Sequence, residues 1–360
     1  MKYLLFCTIV CFAFFSCKTT SSPSGTSDTP TVSSRTIDTF DLPKEIQVAF
    51  YNIENLFDTQ DNPNKIDEDF LPEGRYQWTS DKYQQKLQQL STAIGAMGKA
   101  GPHVLGLAEV ENATVVEELL NESNPALRKY EIIHEESPDA RGIDVALAYD
   151  PVVFIYSSHK IIPYSLPEDP AYTSRDLLLV GGTIGSEPIY FMVNHWPSRR
   201  EGQKESEIRR TRAAALARIA VDSLMNIDPE ANIILMGDFN DDPTNKSISQ
   251  VLRGEGNWED LSSEELYNPM EQLHDPNSEG TLTYRGKWNL FDQILLSEEL
   301  TSPKNALVYQ KGSATIFSKE LTVGFGRGSA NPRRAVFRGK FDPEGYSDHF
   351  PVYVRLRVNQ

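Results

Sequence analysis

The sequence predicts an α/β fold: two packed, mixed β-sheets flanked by helices. Three observations carry this expectation. From residue 46 onward, short apolar runs bounded by turn residues alternate with segments of helical periodicity. Several runs end in acidic or amide residues and two begin with them, an arrangement that strands of opposite direction bring to one rim. Residues 43–360 form too long a body for one ordinary core, and two sheets with helices outside accommodate it.

The elements follow in order. Residues 46–51 read as a strand. Residues 81–99 read as a helix whose Tyr83, Leu87, Leu90, Ile94 and Met97 share one face, with Ser80 as N-cap and Gly101-Pro102 as stop. Residues 104–108 read as a buried strand and 113–120 as a helix. Strands follow at 145–149, 152–162, 177–183 and 189–193. Residues 201–225 predict a long helix with Leu216, Ile219, Ala220, Ser223 and Leu224 inward. A strand at 233–236 precedes irregular chain after Trp258, and strands at 293–296 and 352–356 close the fold. Residues 321–345, rich in Gly and Arg, read as a long surface loop.

The N-terminus has a different character. Met1-Lys2, an apolar stretch from Tyr3 to Phe15, and Ser16 before Cys17 have the layout of an export signal, too short to span a bilayer. A small residue followed by cysteine resembles the bacterial lipobox, which implies cleavage before Cys17 and its lipidation. Residues 1–17 are therefore expected to be a lipoprotein signal peptide. Residues 18–42, rich in Ser, Thr and Pro, lack the apolar surface needed to fold and read as a flexible tether. The expected location is an exported, membrane-anchored lipoprotein.

Composition narrows the chemistry. The three cysteines, Cys7, Cys11 and Cys17, all precede the body, which excludes a disulfide, a thiolate metal site and a cysteine nucleophile there. The net charge of −16 argues against grip on nucleic acid through bulk charge. Asn52 and Glu54 follow the first strand, Glu109 the second, Asn194-His195-Trp196 the strand at 189–193, and Gly237-Asp238-Phe239-Asn240 the strand at 233–236. Asp292 and Asp348-His349 precede their strands. Carboxylates, amides and histidines without thiolate suit a hard ion, Mg²⁺ or Mn²⁺, which polarises a phosphoryl oxygen.

Tyr51-Asn52-Ile53-Glu54-Asn55, Leu107-Ala108-Glu109-Val110-Glu111, Asn194-His195-Trp196, Gly237-Asp238-Phe239-Asn240 and Ser347-Asp348-His349-Phe350-Pro351 resemble the ordered motifs of the endonuclease/exonuclease/phosphatase superfamily. The resemblance implies a four-layer α/β sandwich with its site at one edge of two facing sheets. It implies Glu109 as principal metal ligand with Asn52 and Asp348 beside it, and Glu54 as a further acid whose presence leaves a second metal position open. It implies Asp238 orienting or deprotonating the attacking water with help from Asn240. It also implies His195 at the scissile phosphate and His349 in acid/base or phosphate stabilisation, held by Asp292. The base stays open between Asp238 and His349.

Substrate contacts are expected from Asn194, from Arg141 or Asp144 in Arg141-Gly142-Ile143-Asp144, and from Arg333 and Arg334. Two basic clusters, 198–212 and 324–340, read as phosphate-binding flanks or as solvated faces. His103, His134, His159 and His274 match no motif, and Asp241 and Asp242 read as a solvated turn. The leading expectation is an extracytoplasmic nuclease. A hydrolase of phospholipid head groups or small phosphates is the alternative, and a non-catalytic surface lipoprotein a third. The expected partners are nucleic acid or another phosphodiester, and a membrane through Cys17. Nothing in the sequence points to a protein partner.

Overall fold

In the computed structural model of the chain the described residues are 42–277, 279–318 and 331–359. The expectations for the signal peptide, Cys17 and nearly all of the tether lie outside them, as do Arg327 and the first part of the Gly/Arg-rich segment.

The principal elements, in chain order, are β1 (Glu45–Leu56), α1 (Ser80–Ala96), β2 (Val104–Val110), α2 (Ala113–Glu117), β3 (Glu131–His134), β4 (Asp144–Tyr149) and β5 (Phe154–Ile162). Then come β6 (Leu177–Ile184), β7 (Glu187–His195), α3 (Glu207–Ile227), β8 (Asn232–Asp238), β9 (Asp292–Ser297), β10 (Leu307–Tyr309) and β11 (Val352–Val358). One sheet runs β10–β11–β1–β2–β4–β3, with Thr315–Ile316 pairing onto β11. The other runs β5–β6–β7–β8–β9 and continues through Leu266–Tyr267 to Gly254–Glu255. Both are mixed. β1 and β2 are parallel, as are β7 and β8, whereas β11 runs antiparallel to β1 and β9 antiparallel to β8.

The strand period of two builds the layers. Along β8, Ile234 and Met236 join the larger core between the sheets, while Ile233 and Leu235 join the smaller core under α3. On β7, Ile189, Phe191 and Val193 point inward and Met192 toward α3. The helices α1 and α2 add Leu87, Leu90, Ile94, Val115 and Val116 to the larger core. The result is the helix–sheet–sheet–helix sandwich expected. The sheets approach closely at Gly106, where a Cβ would stand 2.6 Å from Met236 Sδ.

Three local expectations are corrected. The N-cap of α1 is Thr79, one residue earlier than Ser80. The fully buried face of α3 consists of Ala213, Ala214, Ala217 and Val221 with Arg210 and Arg218. Of the expected residues, Leu216, Ala220 and Leu224 pack at its margin, whereas Ser223 is exposed and Ile219 is 58% exposed. Small side chains let α3 lie close to the sheet, and its arginines are buried because they are ion-paired. The described part of the Gly/Arg-rich segment is a small hairpin, Val336–Phe337 with Lys340–Phe341, rather than open loop. Arg338 and Gly339 turn it with φ 50 and φ 78, the pair of positive values a two-residue turn demands.

Candidate functional site

Parallel β1 and β2 put Asn52 and Glu109 at one rim, parallel β7 and β8 put His195 and Asp238 there, and the reversed β9 and β11 deliver Asp292 and Asp348-His349. Across the second sheet Asp238 stands opposite both Asp292 and His195. The backbone is strained here. Glu54, Asn55, Glu109 and Asn240 all have positive φ, at 52, 49, 64 and 51. Asn55 and Asn240 are of a type that tolerates that region, whereas glutamates hold it only where the surroundings enforce it, and such strain gathers at functional sites.

Asp238 is the hub. Its Oδ2 accepts from Asn52 Nδ2 at 3.0 Å and lies 3.6 Å from His195 Nε2 and 3.9 Å from His349 Nε2. Its Oδ1 accepts from Asn240 N at 2.9 Å, and Asn240 Nδ2 donates to Trp196 O. Burial raises the Asp238 carboxyl to about 7 despite the opposing pull of His349.

The two histidines are driven apart. Burial disfavours charge on His349, yet Asp292, hydrogen-bonded to its Nδ1 at 2.7 Å, and Asp238 carry its pKa well above the usual value. His195 falls well below it, through burial and the nearby cations Arg175 and Arg141. One imidazole is thus held charged and the other neutral at a shared carboxylate.

The acidic end of the site is arranged by its neighbours. Glu109 Oε2 accepts from Asn55 N at 2.9 Å, leaving Oε1 toward His195 at 3.9 Å. Asn52 Oδ1 accepts from Glu54 N, and Ser347 Oγ ties the last motif to Asn52 O. Arg334 bridges Glu54 Oε1 at 3.0 Å and Asp348 Oδ2 at 2.8 Å. Glu54 is closed on both oxygens, because Oε2 accepts from Ala335 N at 2.7 Å. Burial and Asp348 raise the Glu54 carboxyl to about 7, against Lys86 and Arg334. Glu109 Oε1 and Asp348 Oδ1, with the second lone pair of Asn52 Oδ1, suit a hard cation, whereas Glu54 anchors the hairpin.

The remaining predicted contacts separate. Asn194 is fully buried: its Nδ2 donates to Met192 O and Met236 O, and its Oδ1 accepts from the Trp196 indole. It shapes the end of β7 instead of facing substrate. Arg333 pairs with Asp342 and Glu344, away from the acidic cluster that Arg334 enters. Arg141 lies 3.4 Å from Asp139 and remains partly exposed.

Much of the first basic cluster is engaged by other protein groups, although only Arg210 is buried. Asp241, expected in solvent, is buried between Arg199 at 2.7 Å and Arg210 at 2.8 Å. Arg209 pairs with Glu201, and Arg212 donates to Ser165 O.

Two residues escaped sequence reasoning. Lys86, fully buried on α1, donates to Glu54 O; a lone lysine on the apolar face of a predicted helix was the available signal. Arg175, also buried, bonds Asp139 at 3.1 Å and Trp196 O at 2.6 Å. It lies in a segment without a motif.

Comparison with known proteins decides the family. Residues 47–358 match the model of the Endonuclease/Exonuclease/phosphatase family. The chain belongs to this family. Its fold is that of D. rerio TDP2 complexed with single strand DNA product, at TM-score 0.54 and 16% identity, covering 88% of this chain and 100% of that one. The human Nocturnin catalytic domain with bound sulfate gives TM-score 0.52 and 15% identity, covering 89% and 96%. A family protein from Bacteroides thetaiotaomicron gives 0.52 and 16%, covering 88% and 99%. No curated protein sequence matches. Family membership makes the chain a hydrolase of the phosphodiesterase or nuclease type, in a family that generally depends on divalent metal.

Proposed function

We propose that this family member is a magnesium-dependent nuclease acting outside the cytoplasm, anchored through Cys17. The carrying observation is the opposed pair of histidines at Asp238. A charged His349 suits stabilisation or protonation of an oxygen that gains negative charge, and a neutral His195 suits a hydrogen bond to a phosphoryl oxygen. Asp238, fixed by Asn52 and by the Asn240 amide, faces both and orients the attacking water. Glu109, Asn52 and Asp348 would hold Mg²⁺, or Mn²⁺ in its place, which supplies Lewis-acid stabilisation of the phosphoryl charge.

Nucleic acid is favoured by a cleft of about 1020 Å³ that reaches Asp348. It is lined by Arg200, Arg285 and Lys287, none paired with a carboxylate among the described residues, and by Tyr284 and Phe291. Tyr284 is 62% exposed on the hairpin Leu282–Tyr284 with Lys287–Asn289, and Arg285 lies over its ring at 5.1 Å, a cation and a ring presented together to a phosphate and a base. Cations without a carboxylate partner beside an exposed ring suit a strand of phosphates and bases better than a small diester. This local patch outweighs the acidic average.

The test measures hydrolysis of plasmid DNA, single-stranded RNA, sphingomyelin and a chromogenic diester, in Mg²⁺ or EDTA, beside an Asp238→Ala/His349→Ala variant. Polymer cleavage lost in EDTA and in the variant is expected. Turnover of lipid or small diester alone would overturn the nuclease reading. Anchoring rests on the sequence around Cys17: metabolic labelling with palmitate should mark the protein, and Cys17→Ser should abolish the label and release the protein from membranes.

A further inference from the structure

A second cluster of imidazole and carboxylates lies beyond Glu109 at the outer end of the first sheet. His134 closes β3, and Asp144 opens the adjoining antiparallel β4, opposite Val110. Glu136 follows in the loop between them. His134 Nε2 lies 3.4 Å from Asp144 Oδ2, with the two side chains 5% and 1% exposed. Both atoms are buried without a hydrogen-bond partner, while Asp144 Oδ1 accepts from Ser137 N at 2.9 Å. One ligand atom from each of His134, Glu136 and Asp144 falls within 4.8 Å of the other two. Buried polar atoms left unbonded are costly and call for an occupant.

We propose that His134, Glu136 and Asp144 form a structural site for a borderline divalent cation, Zn²⁺ before Mg²⁺, separate from the catalytic cluster. The donor set decides the ion. An imidazole with two carboxylates suits zinc, whereas magnesium prefers oxygen and water. With metal–ligand bonds of about 2.0–2.1 Å, tetrahedral ligand atoms stand about 3.3–3.4 Å apart. The His134–Asp144 separation already has that value. Glu136, 55% exposed, has room to complete the set. Lys65 comes within 3.9 Å of Glu136, but its Nζ donates to Ser137 O at 2.8 Å and Asp139 O at 3.1 Å, which fixes it as a tie of the loop. The same loop carries Asp139, which holds Arg175 against Trp196 O beside His195. An ion at its base therefore stiffens the support of the catalytic rim.

The test titrates Zn²⁺ into the chelator-stripped full chain in saturating Mg²⁺, beside His134→Gln. The parent should bind one more tight equivalent than the variant. Its zinc K-edge spectrum should contain an imidazole contribution that the variant lacks, and Zn²⁺ should raise the Tm of the parent more than that of the variant. Because His134 is buried, Glu136→Gln at an exposed position serves as a second variant, expected to bind that equivalent at least tenfold more weakly. Equal stoichiometry and affinity in the parent and both variants would overturn the proposal and leave an ordinary imidazole–carboxylate pair. So would displacement of this zinc by millimolar Mg²⁺. These readouts are metal binding, spectroscopy and stability, so their failure is distinguishable from failure of the nuclease reading, which rests on other residues.

Discussion

At Asp238 one carboxylate oxygen faces two imidazoles whose charges differ because their other neighbours differ. His349 owes its charge to Asp292, so Asp292→Asn should lower kcat by about 10²- to 10⁴-fold, the usual range for losing acid–base function. The sign on pH follows. A histidine pKa raised by a carboxylate falls when that carboxylate is neutralised, so the alkaline limb of the kcat profile should move to lower pH. A limb that stays in place would assign it to another group. The neighbouring arginines divide as sharply. Arg334 lies on Asp348 at 2.8 Å, whereas Arg333 is engaged by Asp342 and Glu344. Arg334→Ala should raise KM for an anionic polymer several-fold. Arg333→Ala should leave KM unchanged and lower thermal stability. Equal KM effects would place both guanidinia on the substrate.

At the scale of elements, strands and α1 were legible because their periods are strong. Tyr83, Leu87, Leu90, Ile94 and Met97 are all buried as spacing demands. For α3, hydrophobicity selects Leu216 and Ile219. Leu216 packs at the margin of the core and Ile219 faces solvent, while the fully buried face is made by alanines, whose value lies in close approach and not in apolar area. Ala217→Leu should therefore cost about 1–3 kcal/mol by overpacking, while Ile219→Ala should stay within about 0.5 kcal/mol. Chemical denaturation of both variants checks the face. The start of β2 offers a pH test. His103 Nδ1 accepts from Gln47 N at 3.0 Å, so a proton there sets donor against donor. Burial and Arg128 lower its pKa from 6.5 to about 4. A basic group depressed in the folded state contributes stability above its unfolded pKa and loses it as pH falls toward the folded one. His103→Asn keeps an acceptor that cannot be protonated. Its Tm should gain on the parent between pH 6.5 and 4, and a constant gap across that window would sink the argument.

Across the whole molecule, the rim was legible because strand direction can be inferred from which end of an apolar run carries the polar residue. That inference placed Asp292 and His349 beside Asp238, although Asn52 and His349 are almost 300 positions apart. What stayed hidden depends on backbone dihedrals and buried charge. Nothing in Glu54 or Glu109 announces a left-handed φ, and nothing in Arg175 announces a site. On the proposed assignment of Glu109, Asn52 and Asp348, the same long-range assembly would make the cation a fastener. Glu109 and Asn52 come from β2 and β1, and Asp348 precedes β11, so the three converge only when the first sheet has closed. A ligand bound only by the folded chain stabilises it by about 2.7 kcal/mol at one hundred times its Kd. For a domain of this size that corresponds to a Tm rise of several degrees, at about 2–4 °C per kcal/mol. Mg²⁺ should give that rise in the parent and in Asp292→Asn, whose metal-facing oxygens are intact. In Glu109→Gln the rise should be lost, because the amide offers one neutral acceptor where the carboxylate offered charge. A shift that persists in Glu109→Gln would move the metal away from β2, and the assignment of Asn52 and Asp348 would move with it.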